Sequence, residues 1–521
     1  MSDPGRPLRI GIALAGIPSA TGEAITGHLR QALPAAQLVP LAPPARPGRG
    51  FPGLSAEGLV GAVVVATAGD PVGRALRRER PPSPPFWTVL LPDGVDEAGT
   101  VGKAVREVLG WVRAVNVSPP FGPEHLRPRL IREGAFTRRE LWTSLGGLRY
   151  EVVPAVDPRV CAGARRCGLC VKACPLGAFR VEDGAVAIDT RACDGCGGCV
   201  AACPRDAIRF PGGTKPEINA WLEGMLAGAP GPAGAEATAV AFTCARSASA
   251  LPPPILECPL PCVGAVSAWS ILRALELGAR AVAVIAGDSP CRERHDPPRW
   301  ERLAASARLV LEGMGVEGER VAVLDLPAPR DLDRLAGLTG RLGPTPWRAR
   351  ASPGSAPPVL GRLVMRMSRA APARIPREGP EAPFAFVQAD PARCSLCGLC
   401  ALCPAGAIGC REEGDQVTLT FEYRLCTGCG LCQEVCPEKA IRLRRVFDPA
   451  RLDEGPRALA GSALVRCRDC GVPIAPSPML EAIRRRLADR RASPLEDLAR
   501  CPACRLGAPL SGGIGAGPDR G

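Results

Sequence analysis

The 521-residue sequence predicts a multidomain protein of mixed α/β and α+β class. Its expected parts are two doubly wound α/β domains, two small cysteine-rich modules and a C-terminal element with paired Cys-x2-Cys knuckles. Three observations predict this. Short apolar runs alternate with helix-length periodic segments over residues 1–118 and again over 236–345. Most of the 25 cysteines crowd into residues 151–215 and 384–446. The last two Cys-x2-Cys pairs punctuate residues 460–510. Gly228 to Gly234 and a Pro-, Ala- and Arg-rich stretch over 346–383 read as linkers.

In the N-terminal region, Leu8 to Ala15, Val63 to Ala66 and Trp87 to Leu91 read as strands, with helices at Gly22 to Ala32 and Val101 to Val115. Arg6 and Arg9 ahead of Ile10 to Gly16 imitate a short signal-peptide core, but the run reads better as a first buried strand. Gly16-Ile-Pro-Ser-Ala-Thr-Gly22 could hold an anion at a helix start; a plain connecting loop is the simpler reading. No Gly-x-Gly-x-x-Gly follows the first strand. Gly61-Ala-Val-Val-Val-Ala-Thr67 and Ala104 to Arg113 resemble the N-terminal segment of heterodisulfide reductase A subunits, without that family's cysteines, which implies docking rather than cluster binding.

The first cysteine-rich module carries Cys161, Cys167 and Cys170 ahead of Cys174-Pro, then Cys193, Cys196 and Cys199 ahead of Cys203-Pro. The second repeats the phrase with Cys394, Cys397, Cys400 and Cys403-Pro, then Cys426, Cys429, Cys432 and Cys436-Pro. Two residues between ligands let a tight loop wrap one corner of a cubane, and the proline turns the fourth cysteine toward the other cluster. Four [4Fe–4S] clusters follow, with crossed ligand sets: Cys161, Cys167, Cys170 with Cys203; Cys193, Cys196, Cys199 with Cys174; Cys394, Cys397, Cys400 with Cys436; Cys426, Cys429, Cys432 with Cys403. Between the first two runs, Phe179 to Asp189 alternates about an Asp183-Gly184 turn and predicts a hairpin.

Both modules resemble bacterial two-cluster ferredoxin domains. Two spacings depart from that pattern. Five residues rather than two separate Cys161 from Cys167, and Cys400-Ala-Leu-Cys403 has two residues where three are usual. Cys410 is either a substitute for Cys403 or a spare thiol. Zinc or disulfides are the bland alternatives, and the four Cys-Pro endings speak against both.

Over 236–345, Ala239 to Cys244, Ile255 to Cys258, Ala281 to Ala286 and Val321 to Leu326 read as strands, alternating with helices at Gly264 to Leu277 and Trp300 to Met314. Cys244, Cys258 and Cys291 fall at or just after strand ends, and Cys262 starts a helix, at the sheet edge where ligands bind. Val240-Ala-Phe-Thr-Cys244, Cys258-Pro-Leu-Pro-Cys-Val-Gly264, Ala274 to Ala279 and Ala281 to Cys291 resemble the delta subunit of methyl-viologen-reducing hydrogenase. The resemblance spans about 100 residues and implies a [2Fe–2S] centre and electron transfer toward heterodisulfide reductase. Ser247 and Gly287-Asp288 stand where the family has a further cysteine and a Gly-Cys-His phrase. The four remaining thiols suffice for one cluster, against the alternative of small buried hydrophobes. His295 reads as a surface residue.

At the C-terminus, Cys467, Cys470, Cys501 and Cys504 suggest a tetrahedral zinc site, with rubredoxin-like iron as the alternative occupant. A basic amphipathic helix over Met479 to Arg490 lies between the knuckles. Arg484, Arg485, Arg486, Arg490 and Arg491 form either a solvated face or a contact for an acidic partner. Gly512 to Gly517 reads as a tail.

The formal charge of +13 tempts a nucleic-acid reading. Metallation removes most of it, since each cluster or four-thiolate zinc adds about −2 and six sites would leave roughly +1. Cysteines spaced for metals imply a reducing compartment, hence the cytoplasm, and no apolar run reaches membrane-span length. The three histidines, His28, His125 and His295, sit in no acid–base motif, and no flavin or nicotinamide fingerprint is present. The expectation is an electron-transfer subunit without catalytic residues of its own, with redox protein subunits as partners, flavin- or heterodisulfide-reductase-like on one side and a hydrogenase or other dehydrogenase on the other, and with no nucleic-acid partner. A self-contained reductase, and a metal-stabilised scaffold or nucleic-acid-binding redox sensor, are the alternatives.

Overall fold

The computed structural model describes residues 8–41, 59–70, 86–91, 93, 97–118, 123–130, 148–226, 238–244, 250–286, 299–325, 328–347, 357, 359–488 and 498–506. Cys291, Ser247, Gly287-Asp288, His295, Arg490, Arg491, Gly228 to Gly234 and the 512–517 tail lie outside them. The chain divides into two compact units. The first comprises Met1–Pro383 with Val446–Leu452, and the second Phe384–Arg445 with Asp453–Gly521.

The first unit opens with a four-stranded parallel sheet in the order Ala36–Pro40, Leu8–Ala15, Leu59–Thr67, Phe86–Leu91. Val63 and Val65 pack under helices Ser19–Ala32 and Glu97–Val117, while Ala62, Val64 and Ala66 fill the opposite face. Burial on both faces explains why the central strand is a continuous apolar run rather than an alternating one. Strand Ala36–Pro40 was not expected: it is short, lies at the sheet edge and ends in proline, so it carries little strand signal.

A second parallel sheet has the order Ile255–Leu260, Ala239–Cys244, Ala281–Ala286, Val321–Asp325. Its first strand is an edge, and such edges expose unpaired backbone groups. Helix Glu97–Val117 covers this one. Lys103 Nζ donates to the Ile255 carbonyl at 2.8 Å, and the Glu257 amide donates to Glu107 Oε1 at 2.8 Å. Lys103 and Glu107 also pair with each other, four residues apart on the helix. Both are buried, and burial pushes the Glu107 carboxyl up while Lys103 pulls it back.

Helix Lys215–Leu226 crosses the same helix where a Cβ on Gly224 would lie 2.6 Å from Gly110 Cα. Only glycine permits that approach. Trp87 and Trp221 meet edge to face at 5.7 Å beside it. Thr214 and Glu217 cap this helix reciprocally: Glu217 Oε2 accepts from the Thr214 amide at 3.0 Å, and the Glu217 amide reaches Thr214 Oγ1 at 3.4 Å.

Residues 346–383, expected as a linker, contain helix Leu360–Arg369. Leu363, Val364 and Met367 form its buried stripe, and Arg366 pairs with buried Glu276 at 2.7 Å. Abundant Pro, Ala and Arg around the helix masked this apolar spacing.

In chain order, the first cysteine-rich module follows the first parallel sheet and precedes the second. Its hairpin joins Phe179–Glu182 to Ala185–Ile188 through Asp183 and Gly184, both at positive φ (50° and 86°), as a type I′ turn requires. Ala155–Val156 pairs with Ile208–Arg209 to tie its ends together.

In the second unit, Ala385–Ala389 pairs with residues 441–445 to tie the ends of the other module. Its hairpin, Ile408–Glu413 with Gln416–Phe421, extends through Arg457–Arg466 to Pro473–Pro476 as a four-stranded antiparallel sheet. That sheet leads into the C-terminal knuckles. The Arg457 guanidinium lies 4.1 Å from the Phe386 ring centroid and bonds the Val387 carbonyl, joining the sheet to the module.

Candidate metal centres

Each predicted cubane set lines one pocket. Cys161, Cys167, Cys170 and Cys203 line the first, and Cys174, Cys193, Cys196 and Cys199 the second. In the other module, Cys394, Cys397, Cys400 and Cys436 line one, and Cys403, Cys426, Cys429 and Cys432 the other. In both modules the fourth cysteine of each run thus lies with the three leading cysteines of the other run.

The backbone is arranged for sulfur. Amides of Gly163, Gly195 and Gly428 donate to Cys161, Cys193 and Cys426 at 3.4 to 3.5 Å, and those of Ala178, Ala207 and Ala440 to Cys174, Cys203 and Cys436 at 3.3 to 3.4 Å. The short segments after the ligand loops begin at Gly168, Gly197, Gly398 and Gly430, all with positive φ near the left-handed region. Burial raises the thiols, to about 11 at Cys170 and Cys426 and about 12 at Cys199, Cys400 and Cys432, with neighbouring sulfurs adding to the effect. Four crowded thiolates need a cationic core to hold them, so the donor chemistry fits iron.

The two irregular spacings have physical solutions. The long Cys161–Cys167 loop leans on the hairpin turn: the Ala164 amide donates to the Gly184 carbonyl at 2.9 Å, and Gly163 passes that carbonyl at positive φ. The short Cys400–Cys403 step is wound as a 3-10 helix, Leu399–Leu402, where the first module has α-helices at the corresponding places. Three 3-10 steps and four α steps each rise about 6 Å, so the tighter winding makes up for the missing residue. Cys410 is exposed on its strand and does not line the cavity.

The C-terminal cysteines converge. The sulfurs of Cys467, Cys470, Cys501 and Cys504 all lie within 4.8 Å of one another, which among the described residues is the one group of potential ligands so closely gathered. The Cys501 amide, 3.3 Å from Cys467 Sγ, and the Cys470 amide lower the Cys467 thiol to about 6. Four sulfurs at this separation suit a single tetrahedral ion.

The central cysteines are less gathered. Cys244 ends its strand half-buried, with its Sγ 3.7 Å from the Pro261 carbonyl, and Cys262 precedes the buried turn Val263–Ala265. Cys258 differs from expectation. Its strand continues to Leu260, so the thiol is interior and burial raises it well above its ordinary value. His28 and His125 bond backbone carbonyls and line none of the cysteine cavities.

One contact was not legible in the sequence. Gly264 sits so close to Cys196 that any Cβ would strike the Cys196 carbonyl oxygen, and a Cβ on Gly197 would lie 2.8 Å from Ala265 Cβ. The ligand loop of one cubane site thus rests on the cysteine-bearing turn of the central domain.

Residues 154–204 match the 4Fe–4S dicluster domain family, and residues 419–442 the 4Fe–4S binding domain family. Residues 235–338 match the delta subunit of methyl-viologen-reducing hydrogenase. No curated protein matches the chain. No helix among the described residues is long and apolar enough to cross a membrane. The chain thus joins regions that match 4Fe–4S domain families to one that matches a hydrogenase delta subunit on one polypeptide, a combination that points to electron transfer.

Proposed function

We propose that this chain is an iron–sulfur electron-transfer subunit of a cytoplasmic oxidoreductase complex of the heterodisulfide-reductase and hydrogenase type. It relays single electrons between a donor enzyme and a flavin- or disulfide-handling partner, and bond-making chemistry belongs to other subunits. The observation that carries this reading is the convergence of sixteen cysteines, in crossed sets of four, on four cavities. Closely spaced clusters provide a path for electrons, with potentials set by burial and by hydrogen bonds to sulfur.

In the same reading the two parallel sheets are doubly wound α/β domains. The central one holds a [2Fe–2S] cluster through Cys244, Cys258, Cys262 and Cys291, with Cys244 and Cys262 as the pair at the sheet edge. The C-terminal knuckles form a zinc-ribbon-like element whose closed four-thiolate site serves structure or docking. The test is metal and sulfide analysis of the full chain made without oxygen. About 18 irons and about one zinc per chain are expected. About 16 irons would leave the central cysteines empty, and far fewer in reconstituted protein would overturn the electron-transfer reading.

A further inference from the structure

We infer that the two cubane sites of the first module are unequal: the site of Cys174, Cys193, Cys196 and Cys199 is its inner end, facing the central domain, and Gly264 is the positioning residue that seats it there. The inference rests on the electron-transfer reading above.

The turn Val263–Ala265 is buried, and both Gly264 and Ala265 meet the Cys196–Gly197 backbone. On the same loop, the Arg127 guanidinium bonds the Cys193 carbonyl, and Gly195 passes so near the Val152 carbonyl that a Cβ would lie 2.9 Å from it. Cys193 and Cys199 are buried, and Cys174 and Cys196 are partly exposed. Among the described residues, the close glycine contacts at the other site's ligand loop, Gly163 with Gly184 and Gly168 with Ala164, stay within the module. Cys161, Cys167, Cys170 and Cys203 are all partly exposed, and Arg165 and Arg166 beside them are exposed. Among the described residues, the first module therefore has a more exposed end and an end packed against the central domain, and an electron taken up at the former leaves toward the central domain from the latter. No bond or proton changes accompany the transfer.

Gly264 sets more than distance. Reducing a four-thiolate cubane adds negative charge, which water stabilises, so excluding water holds the potential down. A side chain at Gly264 must push the turn away from Cys196 and admit water there. The substitution tests the contact without backbone strain, because Gly264 does not occupy the positive-φ region.

The experiment is a redox titration, followed by electron paramagnetic resonance, of the full reconstituted chain and its Gly264→Ala variant. The wave belonging to the inner site is assigned by its alteration in Cys196→Ser. The expected result is unchanged iron content, a shift of that wave to higher potential, and no movement of the waves from the other cubanes. Full iron with every wave unmoved, or movement of a different cubane's wave, would overturn the inference while leaving the electron-transfer reading standing. Too little iron in the unmodified chain would defeat that reading instead. Should Gly264→Ala itself fail to retain its iron, Ala265→Val, which adds bulk against Gly197, is read by the same criteria.

Discussion

The two 4Fe–4S modules share a ligand scheme and differ in what surrounds it. In the first, Gly197-Gly198 leads into Cys199, and the central domain closes over the loop through Gly264 and Ala265. In the second, Gly430-Leu431 leads into Cys432; Leu431 is buried, and a Cβ on Gly430 would meet nothing within 4 Å. Leu399, Leu402 and Val435, each next to a ligand cysteine of the second module, are 42 to 44% exposed. One cysteine pattern thus serves a site on which the central domain rests and sites flanked by exposed apolar side chains. The ligand spacing decides whether a cluster binds, and the packing around the loop decides what the cluster can reach.

The contrast can be broken most severely at the ligands. Cys196→Ser and Cys429→Ser should each cost about four irons per chain, measured against sulfide. Only the first should make the contact between the module and the central domain susceptible to limited proteolysis; equal susceptibility would mean the enclosure is incidental. Next in size is the clamp on the central sheet. Lys103→Met leaves the Glu107 carboxylate buried without its cation and should lower stability by about 3–5 kcal/mol in chemical denaturation.

Paired glycine substitutions sharpen the comparison further. Gly197→Ala and Gly430→Ala both force alanine into positive φ, at about 1–2 kcal/mol each. Gly197→Ala alone also strikes Ala265, so its destabilisation should exceed the other's by about 1–3 kcal/mol. Equal losses would show that the contact yields freely. The smallest effect belongs to Leu399→Ser with Leu402→Ser, which should keep all iron and move stability by no more than about 0.5 kcal/mol.

Cluster chemistry was the most legible part of the sequence, because thiolate spacing is dictated by the metal core and survives any context. The hairpin at Asp183-Gly184 was legible for a similar reason: two successive positive φ angles demand those residue types. Long buried strands such as Ala281–Ala286 announced themselves as apolar runs. Helix Lys215–Leu226 was missed although Thr214-Lys-Pro-Glu217 is a readable capping signal, because the cysteine motif just upstream dominates the region. Helix Leu360–Arg369 was hidden by its composition. The Gly264–Cys196 contact and the Lys103–Glu107 clamp were beyond reach, since each joins residues far apart in the chain whose local sequence gives no sign of a partner.

The Lys103–Glu107 clamp also bears on how this protein can be dissected. A fragment spanning 236–345 would leave behind the helix that occupies the outer edge of strand Ile255–Leu260, so the backbone groups at Ile255 and Glu257 would be free to template another strand. Such a fragment should self-associate or precipitate as its concentration rises, whereas one that begins before the first sheet should not. The N-terminal region, which holds no cysteine, would then act as a built-in chaperone for its neighbour.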